Sequence, residues 1–91
     1  MAELTSMRNI GREMARKLTA AGIASAEKLT EVGSKQAFFQ LKALYPQVCL
    51  VHLYALEGAV QNVEFNSLPA DVKSDLKAFS DFLNGRGGGT L

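Results

Sequence analysis

The residues whose chemistry is easiest to interpret lie near the start of the chain. Met7-Arg8-Asn9-Ile10-Gly11 precedes an amphipathic segment that stops at Gly22, a pattern typical of a helix-hairpin-helix. Such a turn leaves backbone N–H groups at a helix N terminus facing outward, where a phosphate can bind. Arginines at one-turn spacing would add positive charge. The candidate DNA-backbone contacts are therefore Arg8, Asn9, Ile10, Gly11, Arg12 and Arg16.

The same hairpin also occurs as a purely structural turn that locks two helices together. DNA-binding hairpins usually read Gly-apolar-Gly, and here Asn9 replaces the first glycine. Asparagine adopts left-handed backbone geometry more readily than most residues, so the turn can still form. Its side chain can also bond the local backbone and occupy donors that a phosphate would need. Both interpretations of the hairpin stay open.

Cys49 and His52 form the other pair with chemical potential, because residues three apart share one face of a helix. They are the only cysteine and the only histidine, and two ligands do not make a zinc site. A nucleophilic thiolate pair would need a third, orienting group. We therefore expect no metal, no cofactor and no catalytic residue, and we predict that the protein is not an enzyme. The apolar neighbours of Cys49 predict a buried, inert thiol.

Composition bounds the class of protein. Ninety-one residues with 47% hydrophobic content make one soluble domain. No apolar run is long enough to span a bilayer, so no membrane contact is expected. The N terminus lacks the features of a signal peptide and a single cysteine suits a reducing compartment, which together predict a cytoplasmic protein. Net charge is only +1, with a modest basic excess in residues 1–42, which allows only weak nonspecific DNA binding.

The hydrophobic periodicity predicts an all-α fold with five helices after a short opening turn. With the opening turn at residues 4–8 counted as the first segment, the second segment spans residues 11–21 and has Gly22 as its C-terminal cap. Ser25 caps the third segment, which ends at Gly33, and Ser34 caps the fourth, which ends at Pro46. The fifth segment covers residues 47–61 and the sixth covers residues 69–83. Residues 1–84 then form the domain, and the glycine-rich residues 85–91 form a flexible tail.

The fifth segment is apolar nearly all round, which is typical of a central, buried helix. Leu53 and Leu56 are expected at its core. Glu57 is an acid within this segment and needs partners if it is buried. It either pairs with an arginine of the second segment or accepts from the hairpin backbone, or it lies on a solvent-exposed edge of the helix with Gln61. Gly58 predicts a close helix crossing.

Phe38 and Phe39 are candidates for an interaction surface. Both cannot easily face the core of one short helix, so one is expected to be exposed and to mark a partner or dimer surface. Phe39 could equally sit beneath Tyr45. The sequence leaves monomer and homodimer open.

Several separate motifs in order carry a family resemblance: Met7 to Gly11, Ala21-Gly22-Ile23, Leu53 to Val60, and Phe65-Asn66-Ser67-Leu68-Pro69. With them, the chain resembles the C-terminal domain of the TfoX/Sxy competence-regulator family over about residues 4–83. The resemblance implies an all-α, SAM-like or helix-hairpin-helix fold, a bacterial source and a link to transcriptional control of DNA uptake. Full-length relatives carry an N-terminal domain that is not seen here, so the regulatory role is not transferred directly.

Two functions follow as hypotheses. The first is a small adaptor that binds an unidentified protein partner in a transcription-related assembly, and an apolar surface patch would favour it. The second is weak, sequence-independent binding to the DNA backbone through the hairpin. A continuous basic face around Arg8, Arg12 and Arg16, free of nearby acids, would favour that alternative.

Overall fold

The computed structural model describes residues 3–83, and within that range the chain is all-helical and contains no strand. The prediction of an all-α fold is confirmed. Two short 3-10 turns, Leu4–Ser6 and Phe65–Ser67, accompany the helices. The four helices are α1 (Arg12–Ala20), α2 (Ala26–Leu44), α3 (Leu50–Gln61) and α4 (Ala70–Leu83).

The predicted number of helices is wrong, because the third and fourth predicted helices are one element in the structure. α2 runs through the expected break, and Gly33 alone inside it has non-helical backbone angles (φ 86°, ψ 166°). The positive φ is the conformation for which glycine is best suited. Gly33 therefore forms a sharp kink inside α2, and the helical stretches 26–32 and 34–44 meet at the position where the sequence predicted a break.

Local signals set several helix ends as predicted. The Ser25 side chain accepts a hydrogen bond from the Lys28 N–H at 3.1 Å and caps the start of α2. Gly22 takes a left-handed conformation (φ 94°) after α1. The Ile23 N–H then donates to the Leu18 carbonyl at 2.8 Å, and the Ile23 side chain is fully buried, which is the expected arrangement for a glycine-terminated helix.

α3 begins three residues later than predicted, and this overturns the expectation for Cys49. Cys49 is the N-cap of α3 in extended conformation, and its side chain is exposed. It was predicted to be buried because its neighbours are apolar. Outside the helix, however, it does not share the inward face, whereas the adjacent Val48 does reach the core.

The core is built around α3, whose most extensive contact is with α2. Leu53 and Leu56 are fully buried, as predicted, but Val51 on the same helix is 56% exposed. α3 is therefore central without being enclosed on every side. The other large, fully buried side chains come from α1, α2 and the connections: Leu18, Ile23, Leu29, Phe38, Leu41 and Val48.

One asparagine joins the hairpin turn, residues 8–11, to α3 and to the chain just after it. Asn9 has a positive φ of 69°, and its Nδ2 donates to the Val63 carbonyl at 3.0 Å and to the Ala55 carbonyl at 3.5 Å. The sequence left open a bond from this side chain to the local backbone, but its hydrogen bonds go to distant carbonyls. Its partners lie about fifty residues away, so Asn9 joins the hairpin to α3.

Gly58 makes this attachment possible. A Cβ placed on Gly58 would lie 2.4 Å from Asn9 Nδ2 and 2.7 Å from the Val63 carbonyl oxygen. The predicted close approach at Gly58 therefore exists, but the hairpin turn and the chain after α3 make it, and no helix crosses there. Because the hairpin depends on this contact, the orientation of α1 against α3 does too.

The described residues contain no helix that is both long and apolar enough to cross a membrane. The predicted tail, residues 85–91, lies outside residues 3–83, as does residue 84.

Replacing Leu53 or Leu56 by Ala is expected to lower the free energy of unfolding by about 2–5 kcal/mol, because each change leaves a cavity in the core. Urea denaturation followed by circular dichroism measures this loss. Val51→Ala on the same helix is the matched control and should stay within about 0.5 kcal/mol, as exposed substitutions usually do. Losses below about 1 kcal/mol at both leucines would contradict the central position of α3.

Gly58→Ala is expected to destabilise the protein by about 1–3 kcal/mol, the usual cost of forcing a methyl group into a packed site. The effect has this sign although alanine is the better helix former by about 1 kcal/mol, because a backbone carbonyl oxygen blocks the new methyl group. Gly11→Ala is the control, since no heavy atom lies within 4 Å of its added Cβ. A Gly58→Ala protein as stable as the parent would show that the hairpin does not depend on this contact.

Candidate interaction surfaces

The hairpin turn offers fewer free backbone donors than the sequence suggested. Gly11 is the N-cap of α1 in extended conformation. The Ile10 N–H already donates to the Met7 carbonyl at 3.4 Å, and the Ile10 side chain is buried. Ile10 is therefore wrong as a phosphate contact, because its amide is used inside the turn. The outward donors of the turn are those of the first turn of α1, which no side chain caps.

Two of the three hairpin arginines are paired with acids. Arg8 Nη1 lies 3.1 Å from the Glu64 carboxylate, and the Arg16 guanidinium pairs with Glu13 one turn earlier on α1. The hydrogen bond from Arg16 lowers the pKa of Glu13 below its ordinary value, and the same bond raises the pKa of Arg16. The face is therefore not a continuous basic surface free of acids.

Arg12 differs from its neighbours, because it is exposed and forms no ion pair within residues 3–83. It lies beside an open concavity of about 380 Å³ at the N terminus of α1. Lys17 borders the same concavity, and its ammonium lies 5.3 Å from the centre of the Tyr45 ring. The residues that line it are Gly11, Arg12, Glu13, Met14, Lys17 and His52.

Cys49 and His52 act on each other at the start of α3. The Cys49 N–H donates to His52 Nδ1 at 3.0 Å, and Cys49 Sγ lies 3.5 Å from the same nitrogen. Because Nδ1 accepts from the backbone, the imidazole completes the cap of α3. Among residues 3–83, no group of three or more His, Cys, Asp and Glu side chains could hold a metal ion.

Glu57 is half-buried and lies between α2 and the solvent-exposed edge of α3. Ser34 Oγ donates to Glu57 Oε1 at 2.5 Å, and Gln61 Nε2 donates to the other carboxylate oxygen. Of the two alternatives for Glu57, the shared edge with Gln61 is confirmed and the bond to the hairpin is wrong. Ser34 is a partner that the sequence did not reveal. The carboxylate thereby joins α3 to α2 just after the kink at Gly33.

The neighbouring residues Phe38 and Phe39 have opposite environments. Phe38 is fully buried and Phe39 is 53% exposed. Phe38 is therefore wrong as an interaction-surface candidate, because its ring fills the core. The expectation that one of the two is exposed is confirmed for Phe39.

Phe39 faces α4 across two adjoining concavities of about 490 and 210 Å³, which share Phe39 and Leu83. We call this surface the α2–α4 groove. Phe82 is its most exposed large apolar member, at 70%. Its lining residues are Val32, Lys35, Gln36, Phe39, Lys42, Ala43, Phe79, Phe82 and Leu83.

Charged groups border this groove in two different ways. Lys35 Nζ lies 2.7 Å from the Asp75 carboxylate and thereby spans from α2 to α4. Lys42 Nζ instead donates to the carbonyls of Pro46 (3.0 Å) and Val48 (3.2 Å), and forms no ion pair within residues 3–83. No Asp or Glu is among the groove-lining residues in the part of the chain described.

Phe82 was the main residue missed in the sequence. Its neighbours Val72, Leu76, Phe79 and Leu83 follow the stripe that faces the core, and Phe82 falls beside that stripe. The sequence signal for Phe82 was its position, because an aromatic residue just outside the buried face of an amphipathic helix is expected to be exposed. Paired with the same feature at Phe39, it would have indicated the groove.

Comparisons with known proteins place the chain in a family. No curated protein matches the chain significantly. A crystal structure of an uncharacterized protein from Listeria monocytogenes, in a triclinic form, superposes with a TM-score of 0.91 at 40% identity, covering 93% of this chain and 97% of that one. A tetragonal form of a Listeria monocytogenes protein of unknown function gives 0.86 at 40% identity, over 89% and 99%. Residues 1–80 match the family described as the TfoX C-terminal domain, and the chain therefore belongs to that family.

Proposed function

We propose that this domain is a non-enzymatic protein-interaction module that works in a transcription-linked, competence-type regulatory assembly through the α2–α4 groove. The exposed pair Phe39 and Phe82 carries the proposal. Family membership supports the regulatory context.

The physical argument rests on the size and grouping of the exposed apolar side chains. A phenylalanine buries a large area when it is covered, and adjoining exposed aromatics are unfavourable in a free protein. Aromatic side chains set in a concave surface also supply much of the binding energy in protein interfaces. Phe39, Phe79 and Phe82 lie in one such surface, with Leu83 between its two concavities.

A photoreactive benzoylphenylalanine in place of Phe39 is expected to cross-link to a partner protein in cells of the source bacterium. The same residue in place of Thr30, which is exposed on the first half of α2, should not give that product. Mass spectrometry identifies the partner, and calorimetry with the purified partner then measures affinity.

Phe82→Ser should weaken that affinity by more than about tenfold, as loss of a central aromatic usually does. Leu44→Ser is the matched control, because Leu44 is also a large apolar residue and is 52% exposed but does not line the groove. If position 39 cross-links only to further copies of the same chain, the groove serves self-association and the adaptor proposal is wrong.

The second candidate, weak DNA-backbone binding by a helix-hairpin-helix at residues 4–20, is favoured by one observation. Arg12 and Lys17 border a concavity at the uncapped N terminus of α1, and Arg12 has no carboxylate partner within residues 3–83. The pairing of Arg8 with Glu64 and of Arg16 with Glu13 weighs against it. The adaptor proposal is the better supported of the two.

Any DNA binding is expected to be phosphate-directed, with a Kd of about 10⁻⁴–10⁻⁶ M at physiological salt and a steep loss as salt rises. Fluorescence anisotropy with duplex DNA at two salt concentrations measures it. The double variant Arg12→Glu and Arg16→Glu should abolish binding, while Lys28→Glu with Lys73→Glu, which changes net charge equally, should not. Binding that survives the first variant would place the DNA contact elsewhere.

A further inference from the structure

We propose that the occupant of the α2–α4 groove is an apolar segment of a partner protein that carries a carboxylate, and that Lys42 binds this carboxylate. The inference rests on the proposed function, since it names the chemistry of the partner at the same surface. It depends on the charges at the groove, which differ between its two bordering lysines.

Lys35 is already neutralised. Its ammonium lies 2.7 Å from the Asp75 carboxylate and 5.6 Å from the centre of the Phe79 ring. An ammonium satisfied by a carboxylate of its own chain gains little from a second one. Lys35 therefore lines the groove but does not favour a bound segment of either charge.

Lys42 lacks such a partner within residues 3–83 and is held firmly at the groove. Its Nζ donates to the Pro46 and Val48 carbonyls and lies 5.9 Å from the centre of the Phe38 ring. An ammonium has three N–H donors, so one donor and the full positive charge are left over. Two carbonyl contacts and a buried ring fix its position before any ligand arrives, which reduces the entropy lost on binding.

The same lysine lines the concavity that Phe39, Ala43 and Leu83 complete. No Asp or Glu lines the groove in the part of the chain described, so the charge is not offset at the surface itself. Apolar side chains over Phe39 and Phe82, with a carboxylate at Lys42, would match both the aromatic surface and the cation. A basic segment would instead bring like charges together, which disfavours binding.

The test uses the full chain, labelled with ¹⁵N, and three synthetic peptides that share their apolar positions and carry Glu, Gln or Lys at the polar ones. The Glu peptide is expected to shift amide resonances of residues 35–43 and 75–83 and to bind up to about fivefold more tightly than the Gln peptide, the largest effect that one exposed charge pair supports. Lys42→Glu should remove that preference. Lys28→Glu is the control of equal charge, because Lys28 does not line the groove.

Lys42 also holds the connection between α2 and α3, so Lys42→Glu could unfold the protein. Lys42→Gln removes the charge but keeps an N–H donor, and thermal denaturation checks that it folds. It too should abolish the preference for the Glu peptide. If the three peptides bind the groove equally, or if Lys42→Gln leaves the preference intact, the acidic partner is wrong while the docking function stands. Peptide shifts that avoid the groove would overturn both the carboxylate assignment and the docking surface.

Discussion

The close contact between Asn9 and Gly58 is the constraint on which the arrangement of the N-terminal half depends. Asn9 takes a left-handed backbone conformation that turns the chain into α1, and the same residue donates to the carbonyls of Ala55 within α3 and Val63 just after it. Only a glycine at position 58 leaves room for its side chain. A single small residue on the central helix thus sets where the hairpin lies and, through it, the direction in which α1 leaves the core.

This attachment also decides what the hairpin can offer to a ligand. It brings residue 8 beside residue 64, where Arg8 pairs with Glu64. Arg16 pairs with Glu13 on α1 itself, so positive and negative side chains alternate on the hairpin face. Exposed ion pairs of this kind contribute little to stability, but they reduce the positive field that a phosphate backbone would experience. The same contacts that order the hairpin therefore weaken it as a DNA-binding surface.

The sequence was sufficient where a local or periodic signal determined the outcome. Ser25 as a cap, Gly22 as a helix end, and Leu53 with Leu56 in the core all follow from neighbours within a few turns. Cys49 was misjudged because its environment depends on the exact start of α3, and helix boundaries are less certain than helices themselves. The bond from Ser34 to Glu57 and the pair of Arg8 with Glu64 join distant parts of the chain, for which no local pattern exists.

The three consecutive residues Phe38, Phe39 and Gln40 show how the phase of one helix divides core from surface. Each step along an α-helix rotates the side chain by about 100°, so neighbours face different surroundings. Phe38 enters the core, whereas Gln40 Nε2 donates at 2.9 Å to the Ala21 carbonyl, a group at the end of α1 that the helix cannot satisfy itself. With these two directions fixed, Phe39 must turn toward α4. Its exposure follows from the register that places Phe38 in the core and Gln40 against α1, and the groove is the surface left open by that register.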